Sequence, residues 1–534
     1  MKKVSIIIVH WNTPEILKNQ LRRLTKESKL QIIVIDNASN KPLDWIKKDF
    51  PSVELINNKF NRGYAFACNQ GVSKAMGGWL LFLNPDVEII PQTIFQMVIQ
   101  SEQRKLVATS PKTGSGYEKP LPTWLSLLTE FTPIKRLIGV ECFKNKTLFG
   151  GCLLIKKNVL LALGGWDERF FLWFEDSDLT FRLLKNKVPI GWVDVVVKHS
   201  GGSSFNQLTD QYKKDIFFHS MDIFAKKYFS FFGRLVINLI KKKYSSRKLL
   251  PEIFDGVSIT VPNIKKDLLD SFLQENRQAV AKIGELIVVT SALNNQELWN
   301  LRAEFPQIRF INIKENKGFA STVNIGFRVS SGKWVGTVND DVILLDDWLE
   351  KLTDCPKKNV GSLNPVIKNP SGKIESVGVQ ILAKGKALPI INYDFSDDPT
   401  SAEATAGKRD QSRTRTYQTV NAANAAAVVY SKKALNEVGL FDENFGSYLE
   451  DIDLSLRLSR AGYENIVSLK SNVTHFGQSS SKGMGWKKNW LDFKNWILVI
   501  GKNWGVKKII INFPSIFFER LRNLSGVIKT IFTH

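Results

Sequence analysis

The feature that most constrains this chain is a long internal repeat. FEDSDLTFRL at Phe174–Leu183 is answered by LEDIDLSLRL at Leu449–Leu458. NRGYAFACNQGV, from Asn61, resembles NKGFASTVNIGF, from Asn316, and GGWLLFLNPDVEI, from Gly77, resembles SGKWVGTVNDDVIL, from Ser331. GGWDERFFLWFEDSDL, from Gly164, pairs with VGLFDENFGSYLEDIDL, from Val438, and His199 in VKHSGGSS with His475 in THFGQSS. The order is the same each time. Asp86 and Asp341 stand 255 residues apart, Glu175 and Glu450 275, so the second copy carries 20 extra residues. The polar segment Asn392–Gln418 is the expected place for them. Solenoid repeats run to roughly 20–50 residues, so a period of this size is a duplicated domain. The chain of 534 residues therefore divides into residues 1–250 and 251–534, with the boundary near Leu250-Pro251.

Each copy opens as α/β. SIIIV is a β-rich run, and Pro14 suits the first turn of a helix over Pro14 to about Lys26, capped by Thr13 or Asn12. QIIVIDNAS and WLLFLNPD are apolar strands ending in turn residues. Strands alternating with helices predict a mixed, mostly parallel sheet. Ligands collect at the carboxyl ends of such strands, where Asp36 and Asp86 fall. The second copy departs from this at two points: Pro262 interrupts its first strand, and Asp36 aligns with Ser291.

Composition narrows the partners. With 43% hydrophobic and 23% charged residues, the chain is globular and not disordered. Four cysteines without a CxxC pair argue against a zinc framework or a disulfide scaffold and fit a reducing compartment. The apolar run Val4–Val9 is too short for a signal peptide, and no stretch reaches the roughly 18 apolar residues of a membrane span. The net charge of +23 implies an anionic partner. No nucleic-acid-binding motif is present, and such a role would leave the repeated carboxylates unexplained. Instead, both copies end in basic, aromatic segments with the spacing of amphipathic helices. These suit packing on the domain with a solvated basic face, or contact with an anionic membrane surface.

Three groups recur that can do chemistry. Asp86, and Asp340 with Asp341, end a strand as hard oxygen ligands suited to Mg²⁺ or Mn²⁺ carrying phosphates. Glu175-Asp176 and Glu450-Asp451 follow bulky apolar residues. Poor solvation there raises proton affinity toward that of a general base. Asp178–Arg182 and Asp453–Arg457 read as ordinary i,i+4 ion pairs. His199 and His475 each follow a β-like run at nearly equal distance from the acidic pair, and a neutral imidazole there can complete a metal site.

The ordered set WNTPE, IDNAS, NRGYAFACN, NPD, GGWDERFF and FEDSDL resembles a family 2 glycosyltransferase of the GT-A fold, closest to rhamnosyltransferase-like bacterial enzymes of surface polysaccharide. The resemblance implies two tandem GT-A domains, Rossmann-like, each with a basic helical C-terminal extension. It implies nucleotide-sugar contacts at Asn12, Glu15, Asp36, Arg62, Gly63 and Asn84, and at Lys317, Gly318 and Asn339 in the second copy. It implies a Mn²⁺ or Mg²⁺ site at Asp86 and His199, and at Asp340, Asp341 and His475; the family's first metal-binding carboxylate is replaced here by Asn84. Asp176 and Asp451 match the family's base, beside Glu175 and Glu450. The expected activity is inverting transfer of a sugar from dTDP-rhamnose or a UDP-hexose to a lipid-linked glycan, in the cytoplasm at the inner membrane face. Both copies are expected to be active. The alternative is a second copy that only binds acceptor or assembles. Oligomeric state is left open.

Overall fold

The computed structural model describes residues 4–114, 119–133, 145–202, 207–245, 247–382, 384–391, 416–477 and 486–532. They form two compact units, Met1–Ile253 with Leu293–Ile311, and Phe254–Ala292 with Asn312–His534. The segment Leu293–Ile311 thus belongs in sequence to the second copy but groups with the first unit.

The first sheet contains β1 (Val4–His10), β2 (Leu30–Asp36), β3 (Val53–Asn57), β4 (Trp79–Leu83), β5 (Val87–Glu88), β6 (Ala108–Thr113), β7 (Cys152–Lys156) and β8 (Ile190–His199). Its order is β3-β2-β1-β4-β7-β6-β8-β5. Strands β1 to β4 are mutually parallel, whereas β7 runs against β4 and β6, and β5 against β8. Alternation along β1 sends Val4, Ile6 and Ile8 to one core with Leu17, Leu21 and Leu24 of the helix Pro14–Leu24. Ile7 goes to a second core with Ala67, Cys68 and Val72 of the helix Tyr64–Lys74. A strand covered on both faces reads as a continuous apolar run, which is why SIIIV shows no polar alternation.

The second sheet repeats this path. Its strands are β9 (Phe254–Asn263), β10 (Glu285–Thr290), β11 (Arg309–Asn312), β12 (Gly332–Val338), β13 (Val342–Leu344), β14 (Val360–Lys368), β15 (Ile374–Ser376), β16 (Val379–Leu382), β17 (Lys386–Pro389), β18 (Tyr417–Val420), β19 (Ala427–Ser431) and β20 (Glu464–His475). The order is β11-β10-β9-β12-β19-β14-β20-β13; β15 and β18 attach beside it, and β16 with β17 forms a separate ribbon. The mixed, mostly parallel sheets are as the sequence predicts.

Two local expectations change. Pro262 does not interrupt β9: the β9–β12 ladder ends at Thr260↔Thr337, so the missing N–H lies beyond the need for a partner on that side. Thr13 is the cap position of the first helix, but its side chain makes no capping bond; its N–H donates to His10 Nε2 at 3.0 Å. Asn12 Oδ1 accepts instead from Asn40 N–H. The extra residues of the second copy fall between β14 and β19, a connection of 58 residues against 38 between β6 and β7. Most of Asn392–Gln418 lies outside the described residues.

Each unit ends in two helices, Asp210–Tyr228 and Phe231–Tyr244 in the first, Trp486–Asn503 and Val506–Phe532 in the second.

Candidate active site

The Asn-Pro-Asp turn leaves β4 at its carboxyl end. Asn84 N–H donates to Gly151 O at 2.9 Å, and β5 then pairs Val87 with His199. That register brings His199 Nε2 to 3.5 Å from Asp86 Oδ2. In the second unit Val342 pairs with His475, and His475 Nε2 lies 3.3 Å from Asp341 Oδ1. His475 Nδ1 also faces Glu375 Oε2 at 3.2 Å. Burial works against the His475 proton, but the Asp341 and Glu375 carboxylates outweigh it and raise its proton affinity. Beside His199 stands an aromatic ring, that of Phe149, at 5.1 Å.

These pairs fit a divalent ion. Ligands at about 2.1 Å from an octahedral ion stand about 3 Å from one another when adjacent, close to the carboxylate–imidazole separations. Among the described residues no group of three or more His, Cys, Asp or Glu side chains is disposed to hold a metal ion. Each pair would offer such an ion one carboxylate and one imidazole.

The acidic pairs open the helices Glu175–Lys185 and Glu450–Arg460. Each is preceded by two successive left-handed residues: Trp173 (φ 65°) and Phe174 (φ 67°), then Tyr448 (φ 72°) and Leu449 (φ 67°). Such a conformation costs a residue with a Cβ about 1–2 kcal/mol and persists only when its surroundings hold it. In the first unit Ser220 Oγ donates to Leu172 O and Tyr64 N–H to Phe171 O. In the second, the amide of Asn495, fully buried, donates to Phe445 O, Ser447 O and Tyr448 O at 3.0, 2.8 and 2.8 Å. Gly63 (φ 81°) and Gly318 (φ 104°) let the backbone press against the same loops. A Cβ at either would stand 2.6 Å from Phe171 O or Gly446 O. The glycines of NRG and NKG thus close the loop that presents the acids.

Within each pair the two acids differ. Glu175 is buried, and burial, with the Asp176 charge added, pushes its carboxyl up to about 8. Glu450 is likewise pushed well up by burial and by Asp451. Among the described residues, Oε2 of each has no hydrogen-bond partner. Asp176 is ion-paired to Lys119 Nζ at 3.1 Å and accepts from Ser177 N–H at 2.7 Å. Asp451 accepts from Ala425 and Ile452 N–H, and burial raises its proton affinity. Asp178 is taken up by Arg182, Lys227 and Tyr228, and Asp453 by Arg457, Lys502 and Asn503, so this third acid is structural, as its spacing predicts.

One dipeptide joins turn and base. Gly151 O holds the Asn84 turn, and a Cβ on Gly150 would stand 2.9 Å from that of Asp176. In the second unit Ala426 O accepts from Asn339 N–H while Ala425 N–H donates to Asp451. Asp86 with Asp176, and Asp341 with Asp451, therefore share one sheet edge.

At the neighbouring strand ends, Asp36 is held by buried His10 (Nδ1–Oδ1 3.2 Å) and by Ser39 Oγ at 2.6 Å. Asn12 donates from its N–H to Ser39 Oγ; Glu15 is exposed on the first helical turn. Arg62 is buried: its Nη1 donates to Gln307 O at 2.7 Å and its guanidinium lies on the Phe66 ring at 3.9 Å. It is packed within the first unit, whereas Lys317 in the equivalent place is exposed. The register corrects one alignment. His10 pairs with Asp36 and Asn263 with Thr290, while Asn37 and Ser291 donate from N–H to His10 O and Asn263 O. Thr290, and not Ser291, occupies the place of Asp36. Thr290 Oγ1 donates to Asn263 Oδ1, and Asn263 Nδ2 donates to Asp340 Oδ2 at 2.8 Å. Burial, first of all, raises the Asp340 carboxyl to about 6. Asp340 is thus bonded to the end of β9, while its neighbour Asp341 faces His475.

His10, Lys119, Ser220, Asn263, Glu375 and Asn495 lie outside the motifs, and Ser39 ends IDNAS without having been singled out. His10 and Asn263 also carry a sequence signal, their place at the end of each first strand.

An α/β sheet of this order, with an Asn-X-Asp turn facing a His and an acidic helix start, defines the class of GT-A-like transferase domains, here in tandem. The model for glycosyl transferase family 2 matches residues 5–164 and 266–359. Both copies thus carry sequence of glycosyltransferase family 2. It is 26% identical over 205 residues to a low-salt glycan biosynthesis hexosyltransferase of Haloferax volcanii, covering 36% of this chain and 65% of the relative. It is 24% identical over 186 residues to an N-acetylglucosaminyl-diphospho-decaprenol L-rhamnosyltransferase of Mycobacterium tuberculosis, covering 32% and 59%. The chain therefore spans about three-fifths of the length of these relatives. A mannosyltransferase from Pyrobaculum calidifontis, solved with GDP-mannose and Mn²⁺, covers 45% of this chain and 74% of its own at 14% identity and a TM-score of 0.31.

Proposed function

We propose that the chain transfers hexoses from nucleotide-sugars, dTDP-rhamnose or a UDP-hexose, to a lipid-linked glycan, with one active site in each of two domains. The carrying observation is that one dipeptide ties the metal-side turn to the aspartate of the helix start in both units. The acceptor hydroxyl gives its proton to Asp176 or Asp451 as its oxygen bonds to the anomeric carbon, and the bond to the diphosphate breaks on the opposite side. One displacement inverts that carbon. Glu175 and Glu450 stay protonated beside the base, which keeps a second negative charge out of a buried site. A divalent ion bound at Asp86–His199 or Asp341–His475 would neutralise charge on the departing diphosphate. Asp36, positioned by His10 and Ser39, is the group to receive the nucleoside ribose.

A second reading gives the second domain a binding role only. It is supported by Thr290 in place of Asp36 and by the engagement of Asp340 with Asn263. The retained Asp451 and His475 support two active sites. No helix among the described residues is long and apolar enough to cross a membrane. A lipid-linked acceptor implies work at the cytoplasmic face of a membrane, with the protein attached peripherally. The test is release of nucleoside diphosphate from a donor panel with Mn²⁺ or Mg²⁺ and a lipid-linked acceptor extract. Asp176→Asn and Asp451→Asn should each abolish a different sugar addition. An unchanged Asp451→Asn variant would assign the second domain to binding, and no turnover by wild type would refute the transferase reading.

A further inference from the structure

The helix Val506–Phe532 has two apolar faces, and among the described residues only one is covered. At about 100° per residue, Ile516, Arg520 and Val527 face inward, buried against the helix Trp486–Asn503. Arg520 lies over the Trp496 ring at 5.4 Å, and Asn523 donates to Asp492 at 3.1 Å. The other side is bare. Val506, Ile510, Phe513, Phe517, Leu521 and Ile528 are 45–73% exposed, and they fall within about 80° of arc. Ile511 and Phe518, also exposed, widen that stripe. The exposed Lys507, Lys508 and Arg522 border it. From Trp486 to His534 the sequence has nine Lys or Arg against two acids.

The first unit shows the same arrangement independently. Its last helix, Phe231–Tyr244, exposes Phe231, Phe232, Leu235 and Leu239 at 47–78%, with Lys242 and Lys243 in the last turn.

We infer that the helix Val506–Phe532 is a bilayer-docking element that lies in the plane of an anionic membrane surface, its Phe and Ile side chains among the acyl boundary and its cations on lipid phosphates. A protein partner needs shape; a bilayer needs only a wide apolar stripe edged by positive charge, and that is what both units present. This deepens the lipid-linked acceptor of the proposed function and rests on that reading only for its purpose. The supporting helix Trp486–Asn503 carries Asn495, whose amide holds the loop before Asp451. The docking element is thereby fixed to the element that sets the base.

The experiment is flotation of the full chain with vesicles of phosphatidylcholine alone or mixed with phosphatidylglycerol, without any sugar donor. Wild type should float with the anionic vesicles and be released as salt rises. The pair Phe517→Ser and Phe518→Ser should lower binding by about tenfold or more, and Lys507→Glu with Lys508→Glu should remove the preference for anionic lipid. The circular dichroism spectrum and melting temperature of both variants should match wild type, which shows that they fold. Wild type that fails to float, or variants that float as well as wild type, would overturn the proposal. So would sedimentation showing a dimer that the Phe517→Ser, Phe518→Ser pair converts to monomer, since the stripe would then cover a second copy. Because no donor is present, failure of the transferase reading would leave the flotation result standing, and the converse.

Discussion

Asn495→Ala tests how the second base is held. The two amide hydrogens of Asn495 serve three carbonyls, those of Phe445, Ser447 and Tyr448. The last is one of two left-handed residues before Glu450, and that pair together costs about 2–4 kcal/mol. A buried carbonyl that loses its donor costs about 1–3 kcal/mol. If the loop stays in place, the variant should lose about 2–4 kcal/mol; if it relaxes, part of that is recovered as strain is released, but Asp451 moves. For a unit of this size the melting temperature should fall by about 5–10 °C, followed by tryptophan fluorescence. Turnover assigned to the second domain should fall by at least tenfold while that of the first is kept, since a displaced base loses most of its contribution. Ser220→Ala, which removes the single bond to Leu172 O, should cost the first unit only about 1 kcal/mol. Lost stability with intact second-domain turnover would show that Asn495 serves packing and not the base. No change in either would refute the argument altogether.

Glu175 binds its proton up to about pH 8 in the folded chain and to about 4.3 when unfolded. The folded state therefore holds the extra proton between these values, and stability falls as pH rises through that window. Glu175→Gln should flatten this slope and be relatively more stable than wild type near pH 8, by thermal melting across pH; an unchanged slope would contradict the buried, neutral glutamic acid. Glu375→Gln should weaken Mn²⁺ binding at Asp341–His475 by about 10–100-fold, as loss of a carboxylate behind a ligating imidazole does. Binding at Asp86–His199 should not move. Electron paramagnetic resonance of free Mn²⁺ reads both, and equal affinity in wild type and variant would refute the support role of Glu375.

Most of the fold was legible because its signals are local and doubled. SIIIV, QIIVID and WLLFL are buried on both sides and carry no polar alternation, and the repeat fixed where their counterparts lie. The acids of the site were legible for the same reason. What escaped was whatever depends on chain segments meeting at a distance. Lys119 reaches Asp176 from a separate connection, Glu375 comes from a strand with no match in the first copy, and Asn495 sits mid-helix among unrelated residues. The position of Asp36 was misassigned by one residue in the second copy because Thr290 and Asp341 stand 51 residues apart and Asp36 and Asp86 only 50, so the 255-residue offset overshoots there, and only the strand register reveals it. The packing of Arg62 was not legible either: its guanidinium lies on Phe66 and donates to Gln307 O, a residue 245 positions away.

The two bases share a backbone setting and differ in charge. Lys119 Nζ stands 3.1 Å from Asp176, whereas the bonds to Asp451 come from backbone N–H groups at 2.8 and 3.1 Å. A neutral donor stabilises a carboxylate less than a cation does, and burial raises the proton affinity of Asp451. A base works only once its proton has left, so second-domain turnover should rise with pH above the ordinary carboxylate range. Measured in the Asp176→Asn variant, where the first base is removed, the acid limb of kcat/KM should lie above about pH 4. Lys119→Met, measured in Asp451→Asn, should lower first-domain turnover, because Asp176 then loses the cation that holds it at 3.1 Å. If turnover is unchanged, Lys119 is not what positions Asp176. If the second-domain limb lies in the ordinary range, Asp451 is solvated during turnover, and its burial belongs to the resting site alone.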